Sequence, residues 1–253
     1  MPYQHTTQAR KFESLFNIPL TIFEKLVKKN YGLECVPADI SLPNFFDFFS
    51  IENTEFPLIR LGQGDGSYLI PDDMKGISHC ISPGFGGLMT FENELYAKYG
   101  IPSVIVDREV IYESVPGITF IANYVDMFSN RKDLNISLAN VVSGLGNVTG
   151  DLMLQMDIES SEWLVLRSLS PRDLDQFRIM VIEFHSLHNI RNRFFYEQIA
   201  LPTLRKILNI FAVVHVNVNE SSGFWTINGD DFFPDTIEVT FHHKRRTEFI
   251  DST

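Results

Sequence analysis

The stretch from Gly150 to Leu166, GDLMLQMDIESSEWLVL, decides how this chain is read. DLMLQMDI (151–158) is an almost unbroken apolar run of strand length. It reaches an acidic pair, Asp157 and Glu159, just before SSEWLVLRSL (160–169) turns to helical spacing. A short run that is apolar on both faces reads as a strand buried inside a parallel sheet. In open α/β sheets, ligands sit in the crevice beyond the carboxyl ends of the strands. A buried strand that ends on carboxylates therefore points at chemistry there.

The same alternation continues on both sides. GISHCIS (76–82) reads as a strand, TFENELYAKYG (90–100) as a helix, PSVIVD (102–107) and ITFIANYV (118–125) as strands, and FRIMVIEFH (177–185) as the strand after the 160–169 helix. This succession predicts a doubly wound, mostly parallel α/β sheet with helices as crossovers. FAVVHVNVNE (211–220) and TIEVTFHHK (236–244) have no helical pattern between them, so they are expected to close the sheet as an antiparallel hairpin. A sheet closed this way is the Rossmann-like arrangement of class I S-adenosylmethionine-dependent methyltransferases. Ahead of it, QARKFESLFNIPLTIFEKLVKKN (8–30) has helical spacing broken at Pro19, and LPNFFDFFSIENTEFPLIRLG (42–62) reads as irregular chain wrapping a surface. The expected division is an N-terminal helical cap and connecting segment over 1–54 and one α/β domain over 55–253.

The 253 residues are 44% hydrophobic, ample for a core. With 21 basic and 32 acidic residues the formal charge is −11, which argues against a nucleic-acid partner. The one dense basic run, KRR at 244–246, reads as a solvated segment. Cys35 and Cys80 lack any disulfide or metal-ligand pattern and read as buried thiols of a reducing compartment. The opening MPYQHTTQARKF has no apolar signal-peptide core, and nowhere do 18 apolar residues run together, so a cytoplasmic chain with no membrane span is expected.

SPGFGG (82–87) follows the first strand of the sheet, and Asp107, 23 residues beyond Gly84, ends the second. Glycines there let the backbone approach a nucleotide-like ligand, and an acid about 20 residues on can accept hydrogen bonds from ribose hydroxyls. Ser82, Gly84, Gly86 and Asp107 are thus candidate cofactor contacts. Because the glycines are not spaced GxGxxG, a mononucleotide-like cofactor such as S-adenosylmethionine is favoured over a dinucleotide. The plainer alternative is that the glycines only make a strand-to-helix turn.

RLGQGDGSYLIPDD (60–73), SPGFGGLMTFENEL (82–95), MDIESSEWLVL (156–166), EFH (183–185), VVHVNVN (213–219) and PDTIEVTF (234–241), in that order, resemble the FkbM-like methyltransferases and related bacterial sugar methyltransferases. The first piece is similar to that family's DGGY motif and the third to its DIEGxEW element. Ser67 and Ser160 replace expected glycines, and Ser82 and Pro83 stand where an acid often opens the glycine loop. The resemblance implies S-adenosylmethionine as cofactor, a sugar or surface-glycan precursor as acceptor, and a cofactor-side position for Asp65 and Tyr68.

Methyl transfer to a hydroxyl needs donor and acceptor in line and a group to take the proton. His185 is the first choice of base, with Asp157 beside it in the crevice. Asp157, Glu183 and His215 are the candidate ligands of a magnesium or manganese ion, a reading raised by the resemblance and not by the spacing. His215, Asn217 and Asn219 share one strand face and would alternatively bind the acceptor. His242 and His243 read as exposed. The competing functions are a non-catalytic methyltransferase-like binding module and, less well supported, a nicotinamide-dependent oxidoreductase. The partner expected is a small molecule, sugar nucleotide or glycan; a homo-oligomer is compatible with the sequence.

Overall fold

The computed structural model describes residues 45–109, 115–127, 134–219, 222–227 and 231–246. The helical pattern at 8–30 and Cys35 lie outside the described residues.

Seven strands build the main sheet: β1 (Ile77–Pro83), β2 (Ser103–Val106), β3 (Ile118–Ile121), β4 (Asp151–Met156), β5 (Phe177–Phe184), β6 (Phe211–Val218) and β7 (Ile237–His243). Their order across the sheet is β6-β7-β5-β4-β1-β2-β3. β1 to β5 pair in parallel, while β7 runs antiparallel to both its neighbours, β5 and β6. The predicted architecture is therefore present: a doubly wound, mostly parallel sheet closed by an antiparallel hairpin. Every residue of β5 is buried, which is why it is apolar throughout except for Arg178 and Glu183 near its two ends. The predicted 118–125 strand is shorter, and Tyr124–Val125 leaves the sheet to pair with Asn135–Ile136.

The helices are α1 (Thr90–Tyr99), α2 (Leu138–Gly144), α3 (Glu162–Ser168), α4 (Pro171–Leu174) and α5 (Leu201–Ile210). α1 stops at Gly100, which takes the left-handed conformation that a helix end favours. α4 starts on a reciprocal capping box between Ser170 and Asp173. Trp163 of α3 packs on Phe184 of β5 with ring centroids 4.6 Å apart. The aromatic segment before the domain is part of the core rather than a surface wrap: Phe45 is fully buried and Phe49 meets the Phe184 ring at 6.1 Å. Leu58–Leu61 and Tyr68–Pro71 then form a small antiparallel hairpin.

At the edge of the sheet opposite the crevice, the expected exposure of the histidine pair needs correction. His242 and His243 are 0% and 5% exposed, because the Phe56 ring packs on the first and the Phe211 ring on the second. His242 meets Asp73 at 3.1 Å and His243 meets Asp175 at 2.9 Å. The basic run is exposed, as expected, while Arg245 pairs with Asp151 and Asp175, and Arg246 with Asp73. Among the described residues, no helix is long and apolar enough to cross a membrane.

Candidate functional site

Strand order reverses between β1 and β4, and there the loops that follow them touch. Asp157 N–H donates to the Pro83 carbonyl at 3.1 Å, and a Cβ placed on Gly84 would lie 1.5 Å from the Asp157 carbonyl oxygen. Gly84 also has φ +89°, so both space and backbone demand glycine. Gly84→Ala should cost at least about 1–3 kcal/mol and displace the Asp157 loop; chemical denaturation checks it.

From this contact the cluster builds outward. Asp157 ends β4, while Glu183 and His185 sit at the end of β5. His185 Nδ1 lies 3.0 Å from Oε1 of the fully buried Glu162 and 3.1 Å from the Glu183 carbonyl, two acceptors that fix the proton on Nδ1. Its carbonyl receives Trp163 Nε1–H at 3.0 Å, locking the residue to α3. The other nitrogen, Nε2, faces Asp157 Oδ1 at 3.6 Å, Glu183 Oε1 at 3.7 Å and Glu159 Oε2 at 4.0 Å. Burial by itself would lower the His185 pKa. The hydrogen bond and charge of Glu162, with the charges of Asp157 and Glu183, outweigh it and raise the pKa to about 9. For Asp157, burial first and then Glu183 raise the pKa to about 7, although His185 pulls it down.

The backbone around these groups is strained. Glu159, Ser160 and Ser186 have φ of 56°, 80° and 57°, conformations that non-glycine residues adopt at a cost. The Ser160 and Ser186 hydroxyls meet at 2.6 Å and tie the two loops together.

The candidate cofactor contacts divide. Asp107 is half-buried at the end of β2 and accepts from the Phe85 and Glu109 amides at 3.0 and 2.8 Å, so it holds the glycine loop. A Cβ at Gly86 or Gly87 would meet nothing within 4 Å, so that part of the loop borders open space. Ser82 and Tyr68 instead serve the interior. They belong to a buried chain in which Gln155 donates to the Tyr68 hydroxyl at 3.0 Å, and Ser82 Oγ lies 2.5 Å from both Gln155 Oε1 and Glu92 Oε1. One hydroxyl proton cannot serve two acceptors. Burial pushes the Glu92 pKa up, and a protonated Glu92 donating to Ser82 completes the chain. The Tyr68 pKa is also pushed up, by burial and then by the charges of Asp157, Glu183 and Glu238. The Asp65 side chain lies outside the described residues.

His215 does not join Asp157 and Glu183. It sits on β6 opposite Thr240 of β7, which in turn faces Val181 of β5, so a whole strand separates His215 from β5. Adjacent strands lie about 4.8 Å apart, which puts His215 beyond reach of a shared ion. The ligand atoms that do converge, all within 4.8 Å of one another, belong to Asp157, Glu159 and His185. Two carboxylates and an imidazole suit magnesium or manganese, and Asp157 Oδ1 is a buried oxygen with no hydrogen-bond partner, so these three residues fit such an ion.

Two further parts of the site lie outside the catalytic, cofactor and metal residues chosen from the sequence. Glu162 was visible in the DIESSEW stretch, but only its burial beneath His185 shows its role. His188 Nδ1 meets Asp235 Oδ1 at 2.6 Å, a dyad whose members are 47 residues apart and carry no local signal.

No known protein-family model matches the chain, and no curated protein matches it by sequence. Three solved structures illustrate its similarity to known folds. The fibrillarin pre-rRNA processing protein of Methanococcus jannaschii is 9% identical, with 75% of this chain and 83% of that one covered and a TM-score of 0.34. MtNAS in complex with S-adenosylmethionine is 12% identical over 93% and 71%, with a TM-score of 0.31. The delta-N METTL16 MTase domain is 11% identical over 90% and 96%, at 0.28. Likeness this distant carries no argument of its own. The strand order does: five parallel strands, with β7 antiparallel between β5 and β6, make the Rossmann-like methyltransferase fold.

Proposed function

We propose that this chain is an S-adenosylmethionine-dependent O-methyltransferase whose acceptor is a sugar or surface-glycan precursor. The observation that carries the reading is the Asp157–His185 pair, brought together at the ends of β4 and β5 and packed against the glycine loop at Gly84. The open face at Gly86 and Gly87 and the Asp107 carboxylate supply a cradle for the nucleoside. The sugar acceptor is supported by the FkbM-like segments.

Bound S-adenosylmethionine supplies a methyl group on a positively charged sulfur. The new C–O bond forms as the C–S bond breaks, and the acceptor's hydroxyl proton must leave. His185 holds its own proton to about pH 9, so near neutrality it is a positive pole rather than the base that the sequence suggested. Asp157, with a pKa of about 7, is matched to taking the proton, and the His185 imidazolium steadies its ionised form. Glu162 orients that imidazolium. A magnesium or manganese ion held by Asp157, Glu159 and a deprotonated His185 would replace this arrangement rather than join it, supplying positive charge that makes an acceptor hydroxyl easier to deprotonate; full activity after exhaustive chelation would remove the ion from the mechanism.

Mass spectrometry of small molecules that co-purify should find S-adenosylhomocysteine. Calorimetry that shows tight binding of a nicotinamide dinucleotide and none of S-adenosylmethionine or S-adenosylhomocysteine would overturn the reading. Asp107→Ala should weaken cofactor binding by about 1.5–3 kcal/mol, since both the ribose contact and the Phe85 anchor are lost. An unchanged dissociation constant would place the ribose elsewhere.

A further inference from the structure

Beside the cluster lies a pocket that the proposed mechanism leaves unused. Its floor is a row across three strands: Glu238 of β7 stands opposite Glu183 of β5 on one side and Asn217 of β6 on the other. Residues directly opposite one another on adjacent strands point to the same face. Asn219 continues that face, with its Nδ2 donating to Glu183 Oε1 at 2.7 Å. The facing wall comes from the small hairpin at residues 58–71, where Arg60 Nη1 donates to Ser67 Oγ at 3.0 Å. The volume enclosed is about 330 Å³. Glu183 belongs to both places, since its Oε1 also lies 3.7 Å from His185 Nε2.

The lining selects by chemistry. Carboxylates only accept hydrogen bonds, a guanidinium only donates, and primary amides do both. A hydroxyl also does both, so neighbouring hydroxyls on one ring can donate to Glu183 and Glu238 while accepting from Arg60, Asn217 and Asn219. An apolar guest would displace the water that still reaches Glu183 and Glu238, 9% and 8% exposed, and offer no hydrogen bond in its place. A phosphate would meet two like charges. The volume lies at the small end of ligand pockets, which run from about 300 Å³ upward, and suits a single ring.

We infer that the pocket formed by Arg60, Glu183, Asn217, Asn219 and Glu238 is the acceptor subsite, and that it takes a neutral polyol ring of monosaccharide size through adjacent hydroxyls. Its role as acceptor subsite rests on the methyltransferase reading; its ligand chemistry does not. Glu238 and Asn217 act there as specificity-determining residues.

The test uses saturation-transfer NMR on the full chain, with methyl α-glucopyranoside, methyl α-mannopyranoside, myo-inositol, glucose 1-phosphate and cyclohexanol as probes, and with S-adenosylhomocysteine binding titrated in the same samples. At least one neutral polyol should bind, and the phosphate and cyclohexanol should not. Glu238→Gln and Asn217→Ala should each weaken polyol binding about tenfold or more while leaving S-adenosylhomocysteine affinity unchanged. Asn217 is exposed, so its alanine variant should keep the wild-type melting temperature even if Glu238→Gln does not. No polyol binding in a sample that binds S-adenosylhomocysteine would overturn the subsite, as would polyol affinity unchanged in Asn217→Ala. Polyol binding that both variants abolish, in a chain that ignores S-adenosylhomocysteine, would sustain the pocket and sink the methyltransferase reading.

Discussion

Asp157→Asn should reduce kcat by about two to four orders of magnitude, the usual share of a general base, and at the same time make the protein more stable in mild alkali. The gain in stability follows from the direction of the pKa shift. The folded state raises the Asp157 pKa from its ordinary 3.8 to about 7, so folding favours the protonated form. The stability linked to that proton is fully present below the unfolded pKa and is lost as pH rises through about 7; above it, the ionised carboxylate among Glu183, Glu162 and Glu159 opposes folding. Asparagine carries no such charge. With 37% of the Asp157 side chain exposed, solvent screening reduces the gain to about 1 kcal/mol. Wild-type kcat should rise through about pH 7 as Asp157 ionises and fall through about pH 9 as His185 loses its proton. An asparagine variant with normal kcat, or a wild-type rate flat across that window, would remove Asp157 from the role of base.

Arg178→Met should be strongly destabilising although far from the site, costing about 3–5 kcal/mol, because it removes the one buried cation of the Asp73–Asp151 network and leaves only the more exposed Arg245 and Arg246 to pair with those acids. Arg178 is 3% exposed. It donates to Asp73 Oδ1 at 3.1 Å, the Asp73 carbonyl at 3.0 Å, the Lys75 carbonyl at 2.7 Å and Asp151 Oδ2 at 2.8 Å. Methionine preserves much of the stem's packing and none of these bonds. In a chain of this size such a loss lowers Tm by roughly 10 °C or more. Because the network sits at the opposite edge from Asp157, kcat of the folded fraction should be unchanged. A loss under about 1 kcal/mol in denaturant titration would mean that water reaches the acids and replaces the guanidinium.

The strands were legible because burial on both faces leaves an apolar run, and β4 and β5 show it most clearly. Asp157, Glu183 and His185 followed from the same logic, since the residue after such a run stands at the carboxyl edge. Errors arose where neighbours in space are distant in sequence. His242 and His243 read as exposed because nothing local covers them, but the rings of Phe56 and Phe211, distant in sequence, pack on both. His215 shares a strand face with residues of the pocket, yet strand order moves it away from Asp157. α5 was missed although Pro202 sits in its first turn, where proline is tolerated. The two serines standing for glycines also differ physically. Ser67 has an extended backbone, φ −119°, that any residue adopts, whereas Ser160 holds a φ of 80° that its hydrogen bond to Ser186 helps to offset.

The position of β7 bears on how the protein is made. A ribosome releases β5 and β6 before β7, yet β7 is the strand that lies between them. Until it emerges, the eight residues of β5 present an apolar, unpaired margin on the nascent chain, the kind of surface that recruits other strands. The domain therefore cannot close cotranslationally in the order of its elements, and its last pairing joins segments far apart in sequence, a slow class of step. Newly made chains should lean on holdase chaperones until that final insertion. A premature stop ahead of Ile237 would remove an interior stave of the sheet rather than trim its rim.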